Sequence, residues 1–224
     1  ASSPRVPPPP AASSSALAAA VALPAAAACV LFDTETTDKA GLVIELGYSV
    51  LDAKGVEIES AHYSKVWKLP TAGQWSINHQ AFQIHGISKT RQAGCRKTLS
   101  QDGVDAVQEL RQLAQLFKEA KARGVRLVAH NAAFDVARLH ATAKAHRLPE
   151  GHLPIATKDV LCTMQRSRTA CGLKDSLQRS KAAKLEELHV HLFGAKPTGR
   201  MHAAGDDVLA LAKCYLEGCR RKMW

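Results

Sequence analysis

Apolar residues in this chain follow two patterns, continuous runs and runs with helical spacing. Continuous runs are typical of strands buried on both faces of a sheet, and they occur at residues 29–32, 42–51, 56–67 and 125–129. Helical spacing covers residues 101–121, 132–147, 185–193 and 203–216. Residues 80–91 fit a loop or a short helix, and residues 160–164 fit a fifth strand or a short helix. Three successive strands followed by alternating helices and strands predict an α/β domain with a mixed sheet.

Turn and cap residues mark the ends of several of these elements. The run Asp52-Ala53-Lys54-Gly55 predicts a hairpin turn between the second and third strands. Gly124 is expected to end the helix at residues 101–121. Asn131 is the expected N-cap of the helix at residues 132–147, because Asn side chains accept hydrogen bonds from the first free amides of a helix.

The first 28 residues differ in composition from the rest of the chain. They are almost wholly Ala, Pro, Ser and Val, with a single charge at Arg5. Such a segment buries little apolar surface, so we expect a low-complexity, disordered tail. The Ala tract also fits an organelle transit peptide and, less well because Pro24 interrupts it, a secretory signal. The expected domains are therefore the tail at 1–28, a folded domain at 29–218 and a basic tail at 219–224.

The charge balance predicts a polyanionic partner. Lys and Arg number 30 against 20 Asp and Glu, a formal net charge of +10. Basic segments at residues 89–97, 118–126 and 166–184 are the predicted phosphate contacts, with an ordinary solvated surface as the alternative. The six cysteines form no CxxC pair, which favours reduced thiols, an intracellular protein and no structural zinc. No run reaches the roughly 20 strongly apolar residues of a membrane span, so we expect no membrane partner.

The first candidate site follows the first strand. Residues 29–37 run from four apolar residues into Asp33 and Glu35, which are two apart and therefore share a face of the strand. Two like charges at the end of a buried strand repel each other unless a positive group lies between them. A divalent metal would satisfy both acids. The alternative is a strand that ends in solvent, with both acids at its exposed tip.

Two later segments carry further candidate ligands. Residues 130–135 place Asp135 early in the helix that follows the fourth strand, and residues 202–207 place His202 and Asp207 near the start of the last helix. A five-residue step turns about 140° around a helix, so both side chains cannot project from one helical face. We therefore expect His202 on the preceding loop and Asp207 on the helix, with Asp206 facing elsewhere as a non-ligand.

These segments together resemble the three motifs of the DEDDh family of 3′–5′ exonucleases. FDTETT at 32–37, HNAAFD at 130–135 and the His-x4-Asp step at 202–207 occur in the family's order and at its ordinary separations. FDTETT and IHGI at 84–87 are most similar to the group of the proofreading epsilon subunit of bacterial DNA polymerase III. KLEELHVHLFG at 184–194 and HAAGDDVLALAKCY at 202–215 resemble compact free-standing exonucleases of that group. The chain departs from the pattern at Asp38, where the family usually has Gly.

The resemblance implies a ribonuclease H-like fold, with a five-stranded mixed sheet flanked by helices. It also implies a site for two Mg²⁺ ions, with Mn²⁺ as a substitute. Asp33 would bridge the two ions, Glu35 and Asp207 would complete one site, and Asp135 would support the other. His202 would be the general base, since the unperturbed pKa of a histidine lies near neutral pH.

Four more residues match family positions that line the pocket for the 3′-terminal nucleotide: Thr36, His85, His130 and Phe134. Phe134 would stack against a base, a contact worth about 1–3 kcal/mol. Each of the last three has an alternative as an ordinary structural residue: His130 as a hydrogen-bonding group at a strand end, Phe134 as a core residue, and His85 as a loop residue.

The sequence therefore predicts a metal-dependent 3′–5′ exonuclease that releases nucleoside 5′-monophosphates from single-stranded or frayed ends. DNA is favoured, as in proofreading or repair, and RNA trimming within the same family is the alternative. A second alternative is a non-catalytic nucleic-acid-binding or polymerase-docking module, which would have lost one or more of the acids. The expected partners are single-stranded nucleic acid and a polymerase or repair complex, inside the cell or in an organelle.

Overall fold

The computed structural model describes residues 22–224, so most of the tail expected at 1–28 lies outside the described part of the chain. The last residues of that segment belong to the fold. Leu23 is buried, and its backbone amide donates to a carboxylate oxygen of Glu119 over 2.9 Å. Arg123 donates to the carbonyls of Leu23, Pro24 and Ala25. These contacts fasten the chain just before the first strand.

A mixed six-stranded sheet forms the centre of the fold. From one edge to the other, its strands are β6 (Gly103–Val104), β3 (Tyr63–Trp67), β2 (Val43–Asp52), β1 (Ala27–Thr36), β7 (Arg126–Ala129) and β8 (Val160–Cys162). β1 is antiparallel to β2 and parallel to β7, and β7 is parallel to β8. Two short strands, β4 (Ile87–Ser88) and β5 (Lys97–Thr98), pair separately. β1 therefore has a hydrogen-bonded neighbour along both edges.

Helices cover both faces of this sheet. In the described residues they are α1 (His79–His85), α2 (Leu99–Asp102), α3 (Ala106–Ala122), α4 (Ala132–Ala145), α5 (Thr163–Cys171), α6 (Leu185–Phe193) and α7 (Ala204–Arg220). Short 3₁₀ turns occupy Glu59–Ala61 and Thr157–Asp159.

The alternation of side chains along β1 connects the two helical layers. Val30 and Phe32 enter the core beneath α3 and α4, where the rings of Phe32 and Phe117 lie 5.5 Å apart. Cys29 and Leu31 enter the opposite core, beneath α6 and α7. Because side chains two apart share a face, the next two residues in line with Cys29 and Leu31 also point towards α7. Those residues are the two acids of the first motif.

The sheet has six strands rather than the five expected. The additional strand is β6, whose two residues pair with Val66 and Trp67 of β3. The sequence pattern places these residues inside a helix at 101–121, because Val104 continues the helical spacing. The helix instead begins at Ala106, where the side chain of Asp105 accepts from two backbone amides.

Other boundaries also differ from the expected ones. The third strand is confined to Tyr63–Trp67, since a 3₁₀ turn interrupts the run at 56–67. Asn131 occupies the N-cap position of α4 but has a left-handed backbone (φ 76°), and its side chain makes no capping bond. α2 and α5 were not expected. Each follows directly on a short strand, β5 or β8. α2 has only four residues, and the nine residues of α5 are mostly polar, so they show no apolar stripe.

The C-terminal residues pack onto the domain. α7 continues to Arg220, past the expected end at residue 216. The Trp224 ring stacks on Tyr215 with centroids 6.2 Å apart, and its indole N–H donates to the Tyr215 carbonyl. Within residues 22–224, no helix combines the length and the apolar character needed to cross a bilayer.

Candidate active site

The first two candidate ligands project from the end of the central strand. Asp33 pairs in register with Gly47 of β2, and Glu35 pairs with Glu45. Asp33 is partly buried and Glu35 is buried. The acids therefore do not lie at an exposed strand tip, which was the alternative to a metal site.

Two glycines allow the last helix to approach this strand pair closely. A Cβ atom at Gly47 would lie 2.3 Å from the backbone oxygen of Ala204, the first residue of α7. A Cβ atom at Gly205 would lie 2.7 Å from Oγ of Ser64 in β3. Only residues without side chains fit at this contact, and the contact brings the third motif to the acids of β1.

The third motif contributes one residue from a helix and one from the loop before it. Asp207 lies in the first turn of α7, and its Oδ2 accepts from the backbone amide of His202, 2.9 Å away. His202 lies on the loop before the helix, with a left-handed backbone (φ 64°). Its Nδ1 lies 4.0 Å from Oε1 of Glu35, and its side chain is 56% exposed. Asp206 faces the loop instead, where its Oδ2 accepts from the Arg200 amide.

Asp135 enters the site from the opposite helical layer. It lies in the first turn of α4 and is 2% exposed. Its Oδ1 accepts from the hydroxyl of Thr34 over 2.8 Å, which ties the helix to the residue between the two β1 acids. Three distant segments thus deliver four carboxylates to one place.

Burial and mutual proximity raise the pKa values of the four carboxylates. Burial raises the pKa of Asp33 well above its usual value, and the charges of Asp135 and Asp207 raise it further. Burial also raises the pKa of Glu35 to about 8, with help from the Asp207 charge. Burial is the largest cause for Asp135 and Asp207 as well, each with a pKa of about 7. The cluster therefore resists full ionisation unless a cation joins it.

The donor set fits a hard divalent cation. One ligand atom each from Glu35, His202 and Asp207 lies within 4.8 Å of the others. Oδ1 of Asp207 is buried and has no hydrogen-bond partner among the described residues, although buried carboxylate oxygens are normally paired. Carboxylate oxygens are the ligands that Mg²⁺ and Mn²⁺ prefer. The residues present therefore fit such an ion.

A fifth buried acid, absent from the sequence predictions, lies beside the site. Glu45 is fully buried, and its carboxylate accepts from Arg96 in two places and from Lys97 over 2.9 Å. These bases hold the pKa of Glu45 below its usual value despite burial. Arg96 also donates to the carbonyls of His85 (2.5 Å) and His202 (3.4 Å). Glu45 could have been identified from the sequence as an acid inside the apolar run of β2, because a buried carboxylate needs a partner.

Three of the four predicted nucleotide-pocket residues share one cavity. It has a volume of about 430 Å³ and opens beside Glu35, and its walls include Thr36, His85 and Phe134. Phe134 is half-buried, whereas His85 is 1% exposed and sits within the wall. His85 Nε2 contacts the Thr36 carbonyl, and Nδ1 accepts from the Ile87 amide. Burial lowers the pKa of His85 to about 4, so this imidazole is neutral.

His130, the fourth predicted pocket residue, is not among the residues that line this cavity. Its Nδ1 contacts Oγ1 of Thr163 over 2.9 Å, and its Nε2 contacts the Ala183 carbonyl over 3.0 Å. Both ring nitrogens are thus engaged by the protein, and burial lowers the pKa of the ring to about 4. The arrangement matches the alternative of a hydrogen-bonding histidine at a strand end.

Asp38, which stands in place of the family's usual glycine, helps to build the loop after β1. Its Oδ1 accepts from the Ala40 amide over 2.6 Å, and its carbonyl accepts from the Thr36 hydroxyl. A glycine is required three residues later, since a Cβ atom at Gly41 would lie 1.9 Å from Oγ1 of Thr37. Asp38 also lines the cavity described above.

Solved structures of nucleases share this architecture. Exonuclease X in complex with 5′-overhanging duplex DNA is 20% identical, with a TM-score of 0.51 over 88% of this chain and 93% of that one. The nuclease domain of 3′hExo, a DEDDh family member bound to rAMP, is 16% identical, with a TM-score of 0.61 over 86% and 92%. S. pombe Pop2p with Mg²⁺ and Mn²⁺ is 16% identical, with a TM-score of 0.57 over 87% and 84%.

The chain has the fold of these nucleases. At such identities the similarity establishes the fold and leaves the activity of this chain open. No protein-family model matches the chain, and no curated protein matches it. An assignment to the epsilon-subunit group therefore rests on the motifs alone.

Proposed function

We propose that this protein is a metal-dependent 3′–5′ exonuclease that releases nucleoside 5′-monophosphates. The observation that carries the proposal is the convergence of four carboxylates from three distant segments. One of these carboxylates, that of Asp207, has a buried oxygen with no hydrogen-bond partner in residues 22–224. An acidic cluster at the centre of a chain with a net charge of +10 suits a polyanionic substrate held around a cation. The related folds of nucleases solved with DNA, rAMP and divalent metals support the same reading.

Two Mg²⁺ ions held by the carboxylates would stabilise the attacking and leaving oxygens of an in-line displacement. Asp33 has the central position for bridging them, because the charges of Glu35, Asp135 and Asp207 all act on it. Glu35 and Asp207 lie together on the α7 side, and Asp135 lies on the α4 side beside Thr34. Mn²⁺ accepts the same donors.

His202 is the proposed general base. Burial and the nearby Lys184 charge lower its pKa from the usual value, so the imidazole is neutral and able to accept a proton at neutral pH. Its exposed side chain and left-handed loop backbone leave it free to reach an attacking water above the acids. Arg96 braces the loop through the His202 carbonyl.

The cavity beside Glu35 is the proposed pocket for the 3′-terminal nucleotide, and Phe134 is its candidate stacking residue. Thr36 and His85 shape the wall, and the proposed role of His130 is to hold the backbone beside the site through Thr163 and Ala183. The motifs favour single-stranded or frayed DNA. RNA is the second candidate substrate, because a structure of the same fold holds rAMP.

Parallel digestion of 3′-labelled and 5′-labelled DNA and RNA oligonucleotides, with Mg²⁺ and with chelator, tests the proposal. We expect stepwise shortening from the 3′ end with Mg²⁺, mononucleotide products and no cleavage with chelator. Asp135→Asn serves as the matched inactive control. Binding without cleavage by the unmodified protein would favour the non-catalytic module, whereas a ladder from the RNA alone would favour RNA trimming.

A further inference from the structure

A single histidine fastens both ends of an excursion, residues 163–183, beside the site. Thr163 begins this excursion at the carboxyl end of β8, and Ala183 ends it just before α6. His130 contacts the hydroxyl of the first and the carbonyl of the second through its two ring nitrogens. His130 directly follows Ala129, the last residue of β7, and five residues later the chain reaches Asp135. The excursion therefore leaves and rejoins the fold at the edge of the acidic site.

The excursion consists of α5 and a hairpin. The Lys181 amide donates to the Leu173 carbonyl, and the Asp175 amide donates to the Arg179 carbonyl, which closes the hairpin at residues 173–181. Arg168 of α5 donates to the Ser180 carbonyl over 2.6 Å and holds the hairpin against the helix. At the apex, Leu177 is 69% exposed. The hairpin thus stands out from the protein rather than packing into it.

The excursion and the residue that follows it are strongly basic. Six Lys and Arg side chains and one acid, Asp175, occur between residues 164 and 184. Arg179 pairs with Asp175, and Lys181 pairs with Glu187. No carboxylate in the described part of the chain pairs with three exposed side chains: Arg166, Lys174 and Lys184. These cations remain available to an external anion.

The other two basic segments of the sequence engage several of their cations internally, although Lys118 in one and Lys89 and Arg91 in the other are exposed. In residues 118–126, Lys121 pairs with Asp159, Arg123 binds three backbone carbonyls, and Arg126 contacts the Tyr215 hydroxyl. This segment also precedes β7, at the opposite end of that strand from the site. In residues 89–97, Arg96 and Lys97 both pair with Glu45.

We infer that the excursion at 163–183, together with Lys184, is the surface that holds the phosphates of the substrate strand upstream of its 3′ end. The inference rests on the proposed exonuclease function. From Ala183 to the apex, six extended residues reach at most about 20 Å. This reach spans at most about six phosphates at the 3.4 Å spacing of one strand of duplex DNA, and fewer on a more extended single strand. A trinucleotide would fill only the site, whereas a 12-mer would also lie along the excursion.

The test compares two double variants that each remove two positive charges. Arg166→Gln/Lys174→Gln changes the excursion, and Arg111→Gln/Lys118→Gln is the matched control on the exposed surface of α3. Initial rates are measured on a trinucleotide and on a 12-mer at several KCl concentrations. For the first variant we expect a lower kcat/KM on the 12-mer, with KM raised and kcat unchanged. The slope of log kcat/KM against log salt should fall by about two, and the trinucleotide rates should stay the same.

Three outcomes separate the possibilities. Equal effects of the two variants on the 12-mer would overturn the inference, because any loss of charge would then suffice. Equal losses on the trinucleotide and the 12-mer would overturn it too, since the change would act on the site itself. If the unmodified protein shortens neither substrate, the proposed function fails, and the result is distinct from a failure of the phosphate surface alone.

Discussion

At the scale of single residues, the two adjacent acids of the third motif have different surroundings. Asp207 faces Glu35 and has a buried oxygen that no other group in the described part of the chain pairs with, whereas Asp206 accepts from the Arg200 amide. Asp207→Ala should therefore weaken both metal binding and turnover. Asp206→Ala should cost about 1 kcal/mol of stability, the usual contribution of one hydrogen bond, and leave metal binding intact. Metal titration and rate measurements on both variants check this, and an active Asp207→Ala enzyme would contradict it.

His202 offers a second comparison within the same motif. Its side chain is exposed and lies near the acids, while its backbone amide supports Asp207. Because His202→Ala keeps that amide, metal affinity should change little, whereas turnover should fall by about 10²–10⁴-fold, the usual effect of losing a general base. Metal affinity that falls as steeply as turnover would instead make His202 a ligand.

Asp33 is the residue on which most of the negative charge acts. Asp33→Asn removes one charge from a crowded, buried cluster, so it should abolish turnover and raise the stability of the metal-free protein at pH 8. Thermal unfolding with chelator measures the second effect. Thr34→Ser provides the control, because it keeps the hydroxyl that donates to Asp135. Full turnover by Asp33→Asn in Mg²⁺ would exclude this residue from the site.

Residue types, spacing and the resemblance to the family motifs were sufficient to select the candidate acids and His202, and the structure places Glu35, His202 and Asp207 together. The partners of His130 could not be predicted from the sequence, since Thr163 and Ala183 follow it by 33 and 53 residues. The pairing of Glu45 with Arg96 spans 51 residues. Such contacts depend on tertiary packing, and a single sequence gives no measure of it.

At the scale of elements, the contact between β2 and α7 controls the assembly of the site. Gly47→Ala would place a methyl group against the Ala204 backbone, so α7 must shift outwards and carry Asp207 with it. Overpacking of this kind costs about 1–3 kcal/mol. We expect lower stability and weaker metal binding together, measured by chemical denaturation and metal titration. Gly124→Ala is the control: nothing lies within 4 Å of its added Cβ, and its positive φ of 67° strains the new side chain, so this variant should lose stability without weaker metal binding.

Element types were more predictable than element boundaries. The central strand was expected because a short apolar run that ends in two acids is typical of a buried strand, and Leu185–Phe193 was expected with the bounds that the structure has. β6 was missed since two residues carry no periodicity of their own. The start of the helix expected at 101–121 was wrong because Val104 fits both a helical and a strand pattern. Its pairing with β3, which makes it a strand residue, is a tertiary contact.

At the scale of the whole molecule, the acidic site should make stability depend on pH. The pKa values of Glu35, Asp135 and Asp207 are raised to between about 7 and 8, from usual values near 4. A group with a raised folded-state pKa stabilises the protein fully below its unfolded pKa, and this contribution disappears as the pH rises through the folded value. The free energy of unfolding of the metal-free protein should therefore fall between about pH 4 and pH 8.

Denaturant titrations at several pH values, with chelator and with Mg²⁺, measure this dependence. Saturating Mg²⁺ should restore stability at pH 8, because a cation favours the ionised carboxylates. Glu35→Gln/Asp207→Asn should flatten the profile in chelator. A metal-free profile that rises from pH 5 to pH 8 would show that other groups dominate.

The order in which the acids occur along the chain has a consequence for synthesis in the cell. Asp33 lies in the first strand, whereas Asp207 arrives only with the last helix, which must then dock against Gly47. At the usual 5–20 residues per second, a ribosome takes about 10–35 s to travel between them. During that interval the growing polypeptide carries an incomplete set of carboxylates. The proposed exonuclease therefore has no complete set of carboxylates until translation has passed α7.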